Sequence, residues 1–329
     1  MGEKNPDLSI VILSYNVRDL LLNCLESIFK NITKEDNWQV IVVDNASTDG
    51  SVEAVKEKYK VAEINSGILR FAQNDKKGAR NDNVVELIEN KENLGFAAGN
   101  NEGVKCAKAP VILFLNPDTI IVGDAIQKSL EVLLSNPDLG ALTCKVELPD
   151  GRLDYSCHRG FPTPWNSFCY FGGISKRFRK SPIFSGYTAS YLDMTSPHVV
   201  DCISGTFFMV RKIAGEQVGF WDKDYFFNGE DIEFCYRLKE KGWQIYYYPL
   251  VKIIHYKGSS SGLWRTSGMK VQKTTKLTSA SHAASAMKLF YKKHYYVKYP
   301  PLFRDFVLWG ILLLEKYRKF KILTGLRYE

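Results

Sequence analysis

Short apolar runs alternate with helical patterns along the first 145 residues of the chain. The run SIVIL at residues 9–13 precedes a segment, residues 20–28, whose apolar positions recur at the spacing of one helix face. The alternation continues with predicted strands at 40–43, 84–88 and 111–115, and with predicted helices at 51–59 and 96–107. Strand and helix repeated in this way predict an α/β fold whose parallel strands are joined by right-handed crossovers.

The second half of the chain is less regular. A turn signal, Pro-Asp-Gly at residues 149–151, opens an irregular stretch rich in aromatic residues, glycine and proline. Regular patterns return at residues 199–211, in a predicted helix at 231–241 and in predicted strands at 244–248 and 251–254. Because long irregular stretches in compact proteins are often binding loops, we expect residues 151–197 to bind a ligand. Residues 66–83 also lack a sustained period, and they predict a surface loop insertion.

The composition indicates a globular protein. Of the 329 residues, 45% are hydrophobic and 24% are charged, which is close to the average for globular domains. The seven cysteines are scattered without a Cys-x-x-Cys spacing, so we interpret them as reduced thiols rather than zinc ligands or a disulfide framework. The first eight residues lack the pattern of a secretory signal, which predicts a cytoplasmic protein.

Positive charge is concentrated at the end of the chain. Residues 288–329 contain ten Lys or Arg and three Asp or Glu, a net charge of +7 out of +8 for the whole chain. The apolar run FVLWGILLL at residues 306–314 is too short to cross a bilayer. Two interpretations remain open, a basic helix lying on the inner face of the cell membrane and a helix packed on the core. Because the basic residues form no known nucleic-acid-binding module, we expect no nucleic-acid partner.

Polar clusters follow three of the predicted strands. They are Ser14-Tyr15-Asn16, the segment DNASTDGS at residues 44–51, and Asn116-Pro117-Asp118. One such cluster could simply cap a helix, because Ser, Thr, Asn and Asp are the preferred N-cap residues. Three clusters at the carboxyl ends of parallel strands favour a single ligand site, since ligands of open α/β sheets bind there.

Seven motifs carry a resemblance that covers about residues 8–261. In order they are SIVILSYN, VVDNASTDGS, NLGFAAGNN, FLNPD, SGTFFMVR, GEDIEF and HYKGSS. Together they resemble the family-two inverting glycosyltransferases, which use nucleotide sugars. The FLNPD, SGTFFMVR and GEDIEF contexts are similar to the bacterial rhamnosyltransferase branch, whose donor is commonly dTDP-rhamnose.

The resemblance implies a GT-A type domain over residues 1–265, with a mixed, mainly parallel sheet and helices on both faces. Residues 1–120 would bind the nucleotide sugar, and residues 121–265 would bind the acceptor and carry the catalytic groups. Residues 266–329 would form a basic, aromatic helical extension. The acceptor would be a saccharide or a lipid-linked saccharide in the synthesis of cell-surface polysaccharide or glycolipid.

The resemblance also assigns residues to the donor. It places Tyr15, Asn16 and Asp44 against the nucleoside, where Tyr15 can stack on a pyrimidine and Asp44 can accept its imide N–H. It places residues 93–100 along the diphosphate, where Gly95 allows close approach and a helix N-terminus favours anions. Taken alone, that segment could be an ordinary helix start. The complete set of donor-binding candidates is Ser14, Tyr15, Asn16, Asp44, Ala46, Asn93, Gly95, Asn100 and Asn116.

Two residues are candidate metal ligands. Asn116-Pro117-Asp118 resembles the Asp-x-Asp metal signature of this fold with the first acid replaced by an amide. Asp118 can still provide a hard oxygen ligand to Mg²⁺ or Mn²⁺, and Asn116 could contact ribose or water. An isolated His255 could equally be a surface residue, but within HYKGSS it matches a position where related enzymes supply a further ligand.

The adjacent acids Glu230 and Asp231 begin the helix predicted at 231–241. Acidic residues favour helix N-termini without any functional role. The resemblance places the catalytic base at Asp231, where a carboxylate would take the proton of the acceptor hydroxyl. One displacement would invert the anomeric configuration. Glu230 and Trp221 are the candidate acceptor-binding residues.

Other functions fit the sequence less well. A sugar nucleotidyltransferase would need a Gly-rich, basic loop after the first strand, where Ser-Tyr-Asn-Val stands instead. A nicotinamide-dependent dehydrogenase would need Gly-x-Gly-x-x-Gly at the first helix. A non-catalytic relative that binds carbohydrate or nucleotide sugar stays open because of Asn116, and an assay of donor hydrolysis would distinguish it from an enzyme.

Overall fold

A computed structural model describes residues 5–65, 68–71, 83–257 and 273–325, and over these ranges the chain forms one eleven-stranded mixed sheet surrounded by helices. The strands are β1 (Leu8–Ser14), β2 (Trp38–Asp44), β3 (Lys60–Asn65), β4 (Ile68–Phe71), β5 (Val84–Glu89), β6 (Val111–Leu115), β7 (Thr119–Ile121), β8 (Leu139–Glu147), β9 (His198–Val200), β10 (Phe207–Arg211) and β11 (Gln244–His255). The helices are α1 (Arg18–Asn31), α2 (Ser51–Lys58), α3 (Gly95–Cys106), α4 (Ala125–Ser135), α5 (Pro164–Phe171), α6 (Ile174–Arg177), α7 (Lys212–Val218), α8 (Glu230–Glu240), α9 (Lys273–Phe290) and α10 (Pro301–Thr324).

The first half of the sheet is parallel. Its strand order is β3-β5-β2-β1-β6, and the four neighbouring pairs all run parallel. The register of β1 and β2 runs from Leu8 beside Trp38 to Ser14 beside Asp44, so the polar clusters that follow these strands start side by side. Both strands are buried along almost their whole length, which explains their continuous apolar sequences.

The second half of the sheet is mixed. Strand β10 runs antiparallel between β6 and β8, and β11 lies between β8 and β7. The pairing of β7 with β11 sets Thr119 opposite His255, and the backbone N–H of Tyr256 donates to the carbonyl of Asp118 at 2.8 Å. The predicted mixed α/β fold is therefore confirmed, and its topology brings two distant motifs to one place.

Helix α3 packs very closely on the sheet. A Cβ atom added to Gly99 would lie 2.5 Å from the side chain of Leu13, and one added to Gly103 would lie 2.4 Å from that of Val11. Larger residues at either position would push the helix away from β1. Gly99, within the NLGFAAGNN motif, and Gly103, one turn of helix later, therefore set how closely α3 approaches the polar cluster after β1.

Three sequence predictions need correction. Residues 68–71 of the expected loop insertion form β4, which pairs antiparallel with β3, and the other residues of that insertion, apart from Asn83, lie outside the described part of the chain. The pattern at 199–211 is divided between β9 and β10, because a turn separates them. The two strands expected at 244–254 form the single strand β11, whose pairing with β8 shifts register between Tyr248 and Lys252.

The C-terminal extension is helical, as expected. Helix α9 and helix α10 are joined by irregular helical turns at Tyr291–Tyr295 and Tyr296–Lys298. Ile311 and Ile322 of α10 are buried, so one face of this helix packs on the protein. Within the described ranges, no helix is both long and apolar enough to cross a membrane.

Candidate functional site

A cavity of about 1720 Å³ opens at the carboxyl ends of the strands. Its wall includes candidates from widely separated motifs, namely Tyr15, Asn93, Gly95, Asn116, Asp118, Glu230, Asp231 and His255. Polar residues that follow the strands therefore do meet at a common cavity, and the structure brings these eight residues to its wall.

The loops that follow β1 and β2 hold each other in place. Asn16 has a positive φ of 54°, its side-chain oxygen accepts from the N–H of Thr48 at 2.8 Å, and its own N–H donates to Ser47 Oγ at 2.9 Å. These bonds leave the ring of Tyr15 45% exposed at the cavity wall. The side chain of Asn16 therefore shapes the loop, and Tyr15 provides a flat surface on which a base could stack.

Asp44 is a buried carboxylate with one oxygen unused. Its Oδ2 accepts from the N–H of Ser47 at 2.8 Å, and its Oδ1 has no hydrogen-bond partner among the described residues. Burial raises the pKa of Asp44 above its usual value, against the hydrogen bonds from Ser47. A buried acceptor without a donor is costly, and the N–H of a nucleobase could supply the missing bond.

Several candidates lie behind the cavity wall. Ser14, Asn16, Asp44, Ala46 and Asn100 are absent from the residues that line the cavity. Asn100 is buried, and its amide donates to the carbonyl of Phe96 at 3.0 Å within α3. The structure therefore gives Asn100 a place in the packing of the helix rather than on the surface that a donor would contact.

Asn45 is a wall residue that the sequence argument did not select. Its side-chain oxygen accepts from Asn90 Nδ2 at 3.0 Å and from the N–H of Leu94 at 3.1 Å, and its amide donates to Asn93 Oδ1 at 2.7 Å. This network fixes the turn before α3. In the sequence, only its position directly after Asp44 in the VVDNASTDGS motif indicated that Asn45 could belong to the site.

Gly95 has a structural reason to be glycine. Its φ is +79°, and an added Cβ atom would lie 2.6 Å from the carbonyl oxygen of Phe226. The N–H of Phe96 donates to that same oxygen at 2.9 Å. Gly95 therefore allows the loop before α8 to close directly onto the start of α3.

Asp118 and His255 are in direct contact. His255 Nε2 lies 3.2 Å from Asp118 Oδ1, and both residues are about 5% exposed. On the other side of the ring, Nδ1 lies 3.1 Å from Asp154 Oδ2, and Lys257 donates to Asp154 Oδ1 at 2.7 Å. Burial alone would lower the pKa of His255, but hydrogen bonds to the two carboxylates raise it to about 9. Asp154 and Lys257 were not found from the sequence, because nothing in it pairs residue 154 with residue 255.

These residues fit a divalent cation that takes most of its ligands from the donor. Asp118 offers an oxygen, and His255 offers Nε2 once the ring has lost the proton that its raised pKa retains at neutral pH. No group of three or more His, Cys, Asp or Glu residues is arranged to hold a metal in the described ranges. Mg²⁺ is usually held by one or two carboxylates together with substrate phosphates. Asp154 would orient the imidazole from behind, as carboxylates commonly do for ligating histidines.

Asp231 lies at the first turn of α8, held by two partners. Gly229, with a φ of +85°, turns the chain into the helix. Arg159 Nη2 donates to Asp231 Oδ2 at 2.6 Å, and the N–H of Ile232 donates to Oδ1 at 2.8 Å. The ion pair is mostly shielded, with the two side chains 17% and 13% exposed. Arg159 comes from the irregular stretch after β8, so the periodic pattern of the sequence gave no indication of it.

Glu230 lies beside Asp231 in a very different environment. It is buried, and its Oε2 has no hydrogen-bond partner among the described residues. Burial, reinforced by the charge of Asp231, raises the pKa of Glu230 to about 8. At neutral pH this carboxyl is therefore mainly protonated and can donate a hydrogen bond, whereas its neighbour is held in an ion pair.

Trp221 does not lie where the sequence argument placed it. Its side chain is 2% exposed and does not line the cavity. Its ring packs 4.9 Å from that of Phe234 and 5.0 Å from that of Phe114, measured between centroids. An acceptor contact by Trp221 does not fit this position, and the residue supports β6 and α8 from the core instead.

The C-terminal helices form part of the cavity wall. Helix α9 contributes Thr274, Thr275, Thr278, Ser279 and His282, and α10 contributes Arg318. His282 also packs on Phe226 of the loop before α8, with 5.5 Å between ring centroids. Residues 273–325 are thus part of the site and not only an appendage to it.

Comparison with known protein families identifies relatives of this chain. The family described as glycosyl transferase family 2 matches residues 9–196, which is more than half of the chain. An N-acetylglucosaminyl-diphospho-decaprenol L-rhamnosyltransferase from Mycobacterium tuberculosis is 28% identical over 255 residues, covering 78% of each chain. A poly-beta-1,6-N-acetyl-D-glucosamine synthase from Staphylococcus aureus is 26% identical over 255 residues, covering 75% of this chain. This chain spans about half (51%) of the length of that synthase.

Solved structures share the fold. A mannosyltransferase from Pyrobaculum calidifontis, in complex with GDP-Man and Mn²⁺, matches with a TM-score of 0.57 and 16% identity, over 98% of this chain and 74% of that one. S. aureus TarS in complex with UDP-GlcNAc matches with a TM-score of 0.51 and 15% identity, over 93% of this chain and 71% of that one. At this level of identity the likeness establishes the GT-A architecture alone.

Proposed function

This chain belongs to glycosyl transferase family 2, and we propose that it transfers a sugar from a nucleoside diphosphate donor to an acceptor hydroxyl with inversion. The observation that carries the proposal is the cavity at the strand ends. Its wall carries Tyr15, whose ring is suited to base stacking. It also carries the carboxylate–imidazole pair of Asp118 and His255, and the oriented carboxylate of Asp231.

On the donor side, Tyr15 stacks on the base. Asp44 lies behind the wall with Oδ1 buried, so this oxygen accepts the N–H of the base only when donor binding displaces the loop that follows β2. Asn93, Gly95 and Asn116 line the wall beside the ribose and diphosphate. Asn45 holds this surface in shape, and Ser14, Asn16, Ala46 and Asn100 support it from behind. Asp118 and His255 would hold a Mg²⁺ or Mn²⁺ ion, which when bound would neutralise charge on the leaving diphosphate.

On the acceptor side, Asp231 takes the proton of the attacking hydroxyl. Arg159 fixes the direction of the carboxylate, and the helix N-terminus supports its negative charge. Glu230, which is mainly protonated at neutral pH, donates a hydrogen bond to the acceptor. Because a single displacement at the anomeric carbon inverts it once, the product has the inverted configuration.

We further propose dTDP-rhamnose as the donor and a lipid-linked saccharide as the acceptor, in cell-surface glycan synthesis. The mycobacterial relative is a rhamnosyltransferase that matches most of both chains, which supports rhamnose over N-acetylglucosamine. The carboxylate at Asp44 supports a base with an imide N–H, as thymine and uracil have and cytosine lacks.

A panel of nucleotide sugars tests the donor. With Mn²⁺ present, dTDP-rhamnose at 100 times its Kd should stabilise the protein by about 2.7 kcal/mol, measured as a thermal shift, and should be hydrolysed slowly. Asp44→Ala should weaken this binding by about 1.5–3 kcal/mol, because a charge-assisted hydrogen bond is lost. Preference for UDP-GlcNAc would contradict rhamnose only, whereas a lack of binding and hydrolysis with every nucleotide sugar would contradict the transferase.

We also propose that helix α10 contacts an anionic membrane surface. One face of α10 exposes large apolar side chains at intervals of three or four residues, namely Leu302, Phe306, Trp309, Leu313, Tyr317 and Phe320. The opposite face carries the buried Ile311 and Ile322. Basic residues accompany the exposed row, which suits a helix lying in a membrane interface. One face of α10 thus packs on the core of the protein, and the opposite face is exposed and can contact lipid.

Vesicle co-sedimentation tests this contact. Replacing Phe306, Trp309 and Leu313 together by Gln should reduce binding to vesicles containing phosphatidylserine by at least about tenfold, because each buried apolar side chain contributes about 1.5–3 kcal/mol. Added salt should weaken binding of the unmodified chain. Leu250→Gln, at an exposed leucine on β11, is the matched control. Equal sedimentation of the triple variant and the control would contradict the membrane contact.

A further inference from the structure

The part of the cavity formed by residues 151–190 and the C-terminal helices is lined with cations. Two of them are paired with carboxylates, Arg152 with Asp150 and Arg159 with Asp231. Three more, Lys176, Arg179 and Arg318, line the cavity without an ion pair to any carboxylate in the described part of the chain. Uncompensated cations in a concave surface attract an anion.

These three cations belong to a different set of elements from the donor candidates. Lys176 lies on α6, Arg179 lies just after it, and Arg318 lies on α10. The guanidinium of Arg318 lies 5.3 Å from the ring centroid of Phe171 at the end of α5, so α10 and the α5–α6 region meet. The donor candidates follow β1, β2, β5 and β6. The cations therefore lie on a part of the cavity wall that the donor candidates do not form.

Exposed aromatic rings belong to the same stretch of chain as Lys176 and Arg179. Phe168, Phe171 and Phe178 are 59%, 40% and 48% exposed, although aromatic side chains usually contribute to cores. A small inorganic anion would gain nothing from these rings, whereas an anion attached to a hydrocarbon chain would contact Phe171 beside Arg318.

We propose that Lys176, Arg179 and Arg318 bind the phosphate or diphosphate of a lipid-linked acceptor, with Phe171 against the first part of its lipid chain. Guanidinium groups suit this role because they bind phosphate oxygens through two parallel hydrogen bonds. The inference rests on the proposed transferase function. It deepens that function by stating which chemical group of the acceptor the protein recognises outside the sugar.

Calorimetry with farnesyl diphosphate, in the absence of metal and donor, tests the site. The variant that combines Lys176→Gln, Arg179→Gln and Arg318→Gln should bind this probe at least about tenfold more weakly, the effect of losing one charge-assisted hydrogen bond or more. Arg177→Gln is the matched control, because Arg177 lies in the same basic run but stacks on Phe178 and does not line the cavity. It should change the Kd by less than about twofold.

Two further probes separate the contributions. Farnesol tests the chain without the anion, and inorganic pyrophosphate tests the anion without the chain; both should bind more weakly than farnesyl diphosphate. Equal affinity of the triple variant and the unmodified protein for farnesyl diphosphate would overturn the site. Pyrophosphate binding as tightly as farnesyl diphosphate would overturn the lipid part, and farnesol binding as tightly would overturn the phosphate part.

Donor binding distinguishes failure of this site from failure of the proposed function. The thermal shift produced by a nucleotide sugar with Mn²⁺ should be the same in the triple variant and in the unmodified protein. If no nucleotide sugar shifts the melting temperature of the unmodified protein, the transferase function itself is wrong.

Discussion

We expect Asp231→Asn to lower sugar transfer by about 10²–10⁴-fold, the usual contribution of a general base. Asparagine keeps the shape of the side chain and one acceptor oxygen, but it cannot take a proton. Arg159 and the N–H of Ile232 now donate to different oxygens of the carboxylate, and asparagine can accept from only one of them. The melting temperature of the variant is therefore measured alongside its activity. Initial rates of transfer measure the effect, and calorimetry with the donor should show binding close to that of the unmodified protein.

Glu230→Gln is the matched control for this substitution. Because burial keeps Glu230 mainly protonated at neutral pH, glutamine resembles the form already present, and transfer should fall by less than about tenfold. If Glu230→Gln abolishes transfer and Asp231→Asn does not, the base is Glu230. A full rate in both variants would show that the reaction does not use this acidic pair.

The donor half of the fold could be predicted because its signals are local. Continuous apolar runs indicated buried parallel strands, and the register of β1 and β2 then placed Ser14 beside Asp44. Polar residues at the strand ends do not contribute to the core, so their presence in the sequence indicated where the cavity lies. The same reasoning over-assigned Asn100, because a polar residue in a motif can equally satisfy a backbone group of its own helix.

The acceptor half could not be predicted because its contacts join segments far apart in the sequence. Arg159 reaches Asp231 across 72 residues, and Asp154 reaches His255 across 101. Residues 151–197 have no period from which a register could be read. Trp221 was misplaced for a related reason. A tryptophan between two motifs can pack in the core or contact a ligand, and only the packing of Phe114 and Phe234 around it decides between them.

Asp118→Ala should remove the stimulation of transfer by Mn²⁺, lowering the metal-dependent rate by at least about 100-fold, because a bound cation stabilises the leaving diphosphate by several kcal/mol. It should also abolish the additional thermal shift that Mn²⁺ gives to a nucleoside diphosphate, a measurement that needs no turnover. His255 would keep its contact with Asp154, so the β7–β11 pairing should survive and the melting temperature without ligands should change little.

Asp138→Ala is the matched control for that experiment, because it removes an exposed carboxylate that does not line the cavity. It should leave both the Mn²⁺ dependence of transfer and the thermal shift unchanged. A variant at Asp118 that kept the full Mn²⁺ dependence of both measurements would show that the cation is held elsewhere. Loss of the Mn²⁺-dependent shift with retained binding of the metal-free nucleotide would instead assign Asp118 to the cation, since the base-binding surface around Tyr15 does not include it.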